Sequence, residues 1–320
     1  MEILSYFKSV FHPMLQIFFL GSIGFVLARR KALPEAGVSG LAVFLIGVSL
    51  PSLIFWQIIS KFSFTLYPDW WVFVLISLLI TAVGLSLGFL FSFRIKDAQV
   101  KREFVSLAGF QNAGYLPLAL LGWILPQEQL SVMLIYLFLF LLGFNLVIWS
   151  WGAFFLSAHK LKRFSFASLF SPPVIAVLLG FAFILLKINR FLPRFILSPL
   201  EMLGNCSFPL AMIVVGASLA QLSSGRPPDR KIMLKLIFTK LVLLPFLGLL
   251  FISYFHLPYL MGLLIILELA APSANNLVVI SRQHEQGEKI VSSGILYSHI
   301  AALITLPVFL ALYNLIVSCK

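Results

Sequence analysis

Residues 106–123, SLAGFQNAGYLPLALLGW, form an apolar run broken at its centre by Asn112, Gly114 and Pro117. Proline has no amide hydrogen and clashes with the carbonyl four residues earlier, so a helix through this stretch loses its bond to the Ala113 carbonyl. Backbone groups freed at membrane depth are tolerated only where protein or a water-filled cavity covers them. A second run, residues 259–281, YLMGLLIILELAAPSANNLVVIS, is interrupted in the same way by Glu268, Pro272, Ser273, Asn275 and Asn276. Two broken membrane helices at corresponding places in two halves of a chain point to the substrate site of a transporter.

The surrounding composition fits that reading. Hydrophobic residues make up 61% of the chain and charged residues only 11%, with a mean hydropathy of +1.04. A soluble domain carries about a quarter charged residues, so this is an integral membrane protein in contact with the lipid bilayer. The apolar runs are continuous rather than alternating with period two, which excludes a transmembrane barrel and gives an all-α polytopic class. The net charge of +12 sits in short connections beside the spans and reports orientation and anionic lipid, with no nucleic-acid partner. Cys206 and Cys319 are too few and too far apart for a disulfide framework or a metal cluster. No zinc-protease, nucleophile-elbow or phosphate-loop motif is present, so neither catalysis nor a cofactor is expected.

Ten spans follow, at roughly 11–29, 37–59, 70–93, 103–124, 129–157, 170–188, 198–221, 232–254, 259–281 and 289–317. Lys and Arg distribute sixteen to six between alternate sides, with Lys240 inside a span. The richer side holds Arg29, Arg30 and Lys31, Arg94 to Arg102, and Lys160, Lys162 and Arg163, and the excess places both termini outside. Residues 1–157 make a first five-helix repeat and 158–320 a second, entering the membrane from opposite sides. Ser49-Leu-Pro51 matches Ser207-Phe-Pro209, and Pro117 matches Pro272, at similar offsets, which favours an inverted 5+5 repeat.

Counting about 1.5 Å per residue puts Pro117 and Pro272 roughly 20 Å from opposite membrane surfaces, so the breaks meet near mid-membrane. The half-helices beginning at these prolines would aim positive dipole ends and free amides at an anion, with Asn112, Asn275 and Asn276 beside it. Glu268 reads as the only acidic residue deep in a span, level with Lys240. The two are either a structural ion pair or a proton-coupling carboxylate and its partner. His299 is a proton relay or an inter-helix hydrogen bond. Trp70, Trp71, Trp149 and Trp151 read as interface anchors.

The motifs QNAGYLPLAL (residues 111–120), FPLAMIVVGASL (208–219) and APSANNLVVIS (271–281) occur in the order and placement of the auxin efflux carrier family, which this chain resembles along essentially its whole length. The resemblance is to the bacterial relatives of the plant carriers and implies a bacterial inner-membrane location. It implies a fold similar to sodium/bile-acid symporters, with spans 1, 2, 6 and 7 as scaffold and homodimer contact. Spans 3 to 5 and 8 to 10 would be a transport domain moving like an elevator. Carried over by position, Asn112 and Pro117 match the first crossover motif, and Pro272 with either Asn275 or Asn276 the second. The plant carriers' long cytoplasmic loop is missing, since 158–170 is a short basic link. The expected function is secondary transport or uniport of a small mono- or dicarboxylate. The alternatives are sodium-coupled symport of a bile-acid-like anion, or a membrane sensor that binds without moving its ligand.

Overall fold

The computed structural model describes residues 2–156, 169–222, 229–283 and 288–318, and every regular element among them is helical. The first half begins with α1 (Glu2–Arg29), α2 (Glu35–Lys61) and α3 (Trp70–Phe91), continues through α4 (Ala98–Gly109) and α5 (Tyr115–Ile124), and closes with α6 (Gln127–Leu156). The second half runs through α7 (Pro172–Leu185), α8 (Arg194–Leu222), α9 (Arg230–Phe255), α10 (Tyr259–Ala270), α11 (Asn276–Gln283) and α12 (Glu288–Ser318). Among the described residues, seven helices are long and apolar enough to cross a membrane unaided, and α5, α7 and α10 are shorter apolar helices. The sequence led us to expect ten spans, the fourth and ninth of them broken. Two of them are cut by the breaks, and α7 ends three residues earlier than expected because Lys187 turns left-handed at φ 59°. The basic link after α6 falls largely on 157–168, outside the described residues.

Local chemistry sets the boundaries. Pro34, Pro126, Pro193 and Pro258 stand in extended backbone immediately before α2, α6, α8 and α10, where the missing amide costs a helix nothing. Asp97 accepts hydrogen bonds from the Gln99 and Val100 amides at 2.8 and 3.1 Å, so α4 starts five residues earlier than its apolar run suggests. Asp229 caps α9 in the same way through the Lys231 amide. Helices α2 and α9 each contain a π-turn, Leu45–Ser49 and Thr239–Leu243, just before Pro51 and Pro245, where a proline interrupts the i→i−4 ladder.

Glycines hold the helices together where backbones touch. A Cβ on Gly24 would lie 2.1 Å from the Ile213 carbonyl oxygen, and one on Gly216 would lie 1.8 Å from that of Gly21, so α1 and α8 pack backbone to backbone. On α3, Gly84 and Gly88 admit the α4 backbone in the same way. Gly143 of α6 fits against the Val74 carbonyl and Ser77 hydroxyl of α3. Gly143→Ala should therefore lower the melting temperature of the purified protein by several degrees, and an unchanged value would contradict this packing. Ser49 donates to the Leu203 carbonyl at 2.7 Å, which leaves Ser207 to donate to Ser49 at 2.8 Å. The two serines of the repeated Ser-x-Pro motif thus meet across a buried α2–α8 contact. Outward faces of α1, α3, α7 and α9 expose Phe19, Leu79, Leu179 and Leu250, as a surface bathed in hydrocarbon requires.

Candidate functional site at the helix crossover

The break between α4 and α5 and the break between α10 and α11 cross each other. The Asn112 amide donates to the Pro272 carbonyl at 2.7 Å and the Ala274 amide to the Phe110 carbonyl at 3.0 Å, closing an antiparallel bridge between Gln111 and Ser273. Each unwound strand thereby satisfies backbone groups that the other lost on leaving its helix. Both helices before the breaks, α4 and α10, are twelve residues long, about 18 Å at 1.5 Å per residue, so the bridge lies at matching depth in each.

The prolines act differently from expectation. The outgoing half-helices begin at Tyr115 and Asn276, not at Pro117 and Pro272. Pro117 occupies the first turn of α5, where no amide is needed, whereas Pro272 stands in the unwound strand just after α10 and ends that helix. The two prolines are therefore not counterparts in the crossover. Ser273 is a clip: its hydroxyl donates to the Leu107 carbonyl at 2.8 Å, and its amide donates to the Ser298 hydroxyl at 3.2 Å.

A cavity of about 100 Å³ opens beside the bridge. Asn112, Gly114, Asn275 and Asn276 line it, while Pro117, Pro272 and Ser273 do not. Sequence reasoning missed Gln111, Tyr115, Asn145, Trp149 and Ser171, which complete the polar part of the lining. Trp149, expected as an interface anchor, lines this cavity. Its spacing four residues after Asn145, on the α6 face that meets the crossover, was the available signal. The lining includes residues at the N-terminal ends of α5 and α11, where helix dipoles are positive, but none from the C-terminal ends of α4 and α10. Gln111, Ser171 and Asn275 each keep a buried polar side-chain atom without a hydrogen-bond partner. A buried donor or acceptor left in this state is stabilised by binding a polar ligand.

Asn112 is 4% exposed, and its Nδ2 stands 3.2 Å from His299 Nε2. His299 Nδ1 lies 2.8 Å from the Ile295 carbonyl, which only accepts, so Nδ1 carries the hydrogen and Nε2 of the neutral ring accepts from Asn112. His299 thus orients Asn112 from behind, through an inter-helix hydrogen bond. Glu268 and Lys240 are fully buried near each other but close no hydrogen bond, so they are no direct ion pair. Glu268 is also not the only buried carboxyl group, because Glu103, nearer the start of α4, is 2% exposed.

A comparison with curated proteins returned no match. The model of the membrane transport protein family matches residues 9–164 and 158–310, nearly the whole length. With its all-helical architecture and apolar helices, the chain is an integral membrane protein that belongs to the membrane transport protein family, that of the auxin efflux carriers.

Proposed function

We propose that this transporter moves a small organic anion, a mono- or dicarboxylate, by secondary transport or uniport with an elevator-like motion. The observation that carries the proposal is the crossover cavity, into which two half-helix N-termini and four asparagines converge. Its other walls come from the end of α6, the start of α7 and the π-turn region of α2, so it faces the basic side of the bundle. With the positive residues cytoplasmic and both termini outside, that is an inward-facing state of a bacterial inner-membrane protein.

An inverted 5+5 repeat accounts for several pairings at once: breaks of equal length, the Ser49–Ser207 contact, and left-handed Lys31 and Lys187 at φ 59° after α1 and α7. In this scheme α1, α2, α7 and α8 form the scaffold and supply a homodimer contact, and the remaining helices carry the site. The glycine-sealed α1–α8 contact suits a rigid scaffold. The seam between the two parts is looser, holding grooves of about 540 Å³ beside α5 and α6 and about 340 Å³ beside α12.

Purified protein should gain thermal stability with a subset of small carboxylates and accumulate the same compounds in proteoliposomes. A ligand present at a hundred times its dissociation constant adds about 2.7 kcal/mol, a shift of several degrees. Stabilisation without flux would replace transport with sensing. Strict dependence of uptake on sodium would replace uniport with symport. Neither stabilisation nor flux with any carboxylate would overturn the proposal.

A further inference from the structure

Behind the crossover lies a set of buried polar groups of which only Gln111 lines the anion cavity. Glu268 and Lys240 are fully buried, and neither carboxylate oxygen nor the ammonium nitrogen has a hydrogen-bond partner. Gln111 is fully buried, has both amide atoms unpaired, stands beside the Glu268 carboxyl and also lines the cavity. The Ser106 hydroxyl is buried without a partner, and Glu103 accepts a hydrogen bond from Gln99 Nε2 at 3.1 Å. Gln99, Glu103 and Ser106 follow at i, i+4 and i+7, which sets them on one face of α4 in steps of about 5–6 Å. That face turns away from α3, whose Gly84 and Gly88 meet Val105, Ala108 and Gly109. The π-turn of α9 carries Lys240 into the same region. Polar groups thus follow one another along this face of α4, from its capped start toward the break where Gln111 stands beside Glu268. Intramembrane ionisable groups in such files mark proton relays.

We propose that this face of α4 conducts protons from the membrane surface at Asp97 to Glu268, and that Gln111 transmits the protonation of Glu268 to the crossover cavity. The proton comes from water to the Glu103 carboxyl. It passes over the Ser106 hydroxyl, which accepts one proton as it releases its own, and ends on a Glu268 carboxylate oxygen. While Glu268 is ionised, with Lys240 as its counter-charge, Gln111 donates Nε2–H to it and turns its carbonyl oxygen to the cavity, where it repels an anion. Once Glu268 is protonated, its O–H donates to the Gln111 carbonyl and Nε2–H is presented to the anion. Proton and anion then load together, one of each.

The other titratable groups on the packed elements leave this assignment intact. Helix α3 brings none, and α6 brings Tyr136, with Glu128 at its start. Helix α9 adds Lys235, with Arg230, Lys231 and Tyr254 near its ends, and α12 adds Tyr297, Tyr313 and His299, with Glu288 and Lys289 at its start. Helix α4 itself carries Lys101 and Arg102, and His299 is occupied by Asn112 and Ile295.

The coupling half of this proposal rests on the anion reading of the cavity; the proton path does not, and the two are tested apart. Infrared difference spectra of the reconstituted protein, with no carboxylate present, should gain a protonated-carboxyl band on a jump from alkaline to acidic pH. The band should be lost in Glu268→Gln and should develop at least about tenfold more slowly in Ser106→Ala and Glu103→Gln. Identical bands in wild type and Glu268→Gln, or unslowed rates in both path variants, would overturn the path. Ser106→Ala removes a single atom, so that arm survives even if Glu268→Gln fails to fold. Malonate binding, followed by tryptophan fluorescence with Trp149 in the cavity wall, should tighten about tenfold per pH unit as pH falls through the titration. It should be independent of pH in Gln111→Leu. Retained pH dependence in Gln111→Leu would overturn the relay. Malonate binding to no variant at any pH would overturn the anion reading and the relay with it, leaving the infrared result to decide the path.

Discussion

Asn112→Ala is expected to abolish saturable anion flux in proteoliposomes while the protein remains folded and inserted. Asn112 sits where the two breaks cross: its backbone amide is fixed by the Pro272 carbonyl, and its side chain is oriented by His299 at the cavity wall. The backbone bond survives truncation, so the crossover should hold. What is lost is a fixed donor to the anion, and a hydrogen bond to a charged group contributes about 1.5–3 kcal/mol, or roughly tenfold to a hundredfold in affinity. The alanine also leaves His299 Nε2 unpaired, which destabilises the loaded cavity further. Asn112→Asp separates the two effects, because it keeps the shape but places negative charge against the ligand, and it should transport no better than the alanine. Flux in either variant with a normal maximal rate and half-saturation would remove Asn112 from the site.

Gly216→Val should have the largest effect on folding. Any Cβ at this position would lie 1.8 Å from the Gly21 carbonyl oxygen, and the neighbour is backbone, so no rotamer change relieves it. Helices α1 and α8 would have to separate along a seam that also includes Gly24 against Ile213. Overpacking a core typically costs about 1–3 kcal/mol, and a clash of backbone on both sides should exceed that. The expected readout is near-complete loss of monodisperse protein after detergent extraction. Gly40→Ala is the control. It meets nothing within 4 Å and lies in a helix, so it should be neutral or raise the melting temperature slightly. Equal yields of Gly216→Val and wild type would show that the seam opens freely.

Much of this was legible in the chain because hydrocarbon is a severe solvent. An asparagine and a proline inside a twenty-residue apolar run have few physical solutions, so residues 106–123 and 259–281 announced two breaks, and counting along the helices put them at one depth. Proline chemistry alone misplaced the half-helix starts. A helix begins where backbone geometry and partners allow, and Pro117 is as acceptable in a first turn as before one. Asn112, Asn275 and Asn276 were visible as polar exceptions, whereas Trp149, Tyr115 and Ser171 were not, since aromatic and hydroxyl residues are ordinary in membrane helices.

The sequence by itself determined the membrane class, the helical content, the family and the two interrupted helices, since each follows from local composition, spacing or motif order. Only the tertiary structure decided that the breaks cross through one antiparallel bridge, that His299 holds Asn112, and that Glu268 and Lys240 stand apart with Gln111 against the carboxylate. These depend on which faces of distant helices meet and on how closely glycines let their backbones approach. Such contacts join residues up to 187 positions apart, and no local pattern records them.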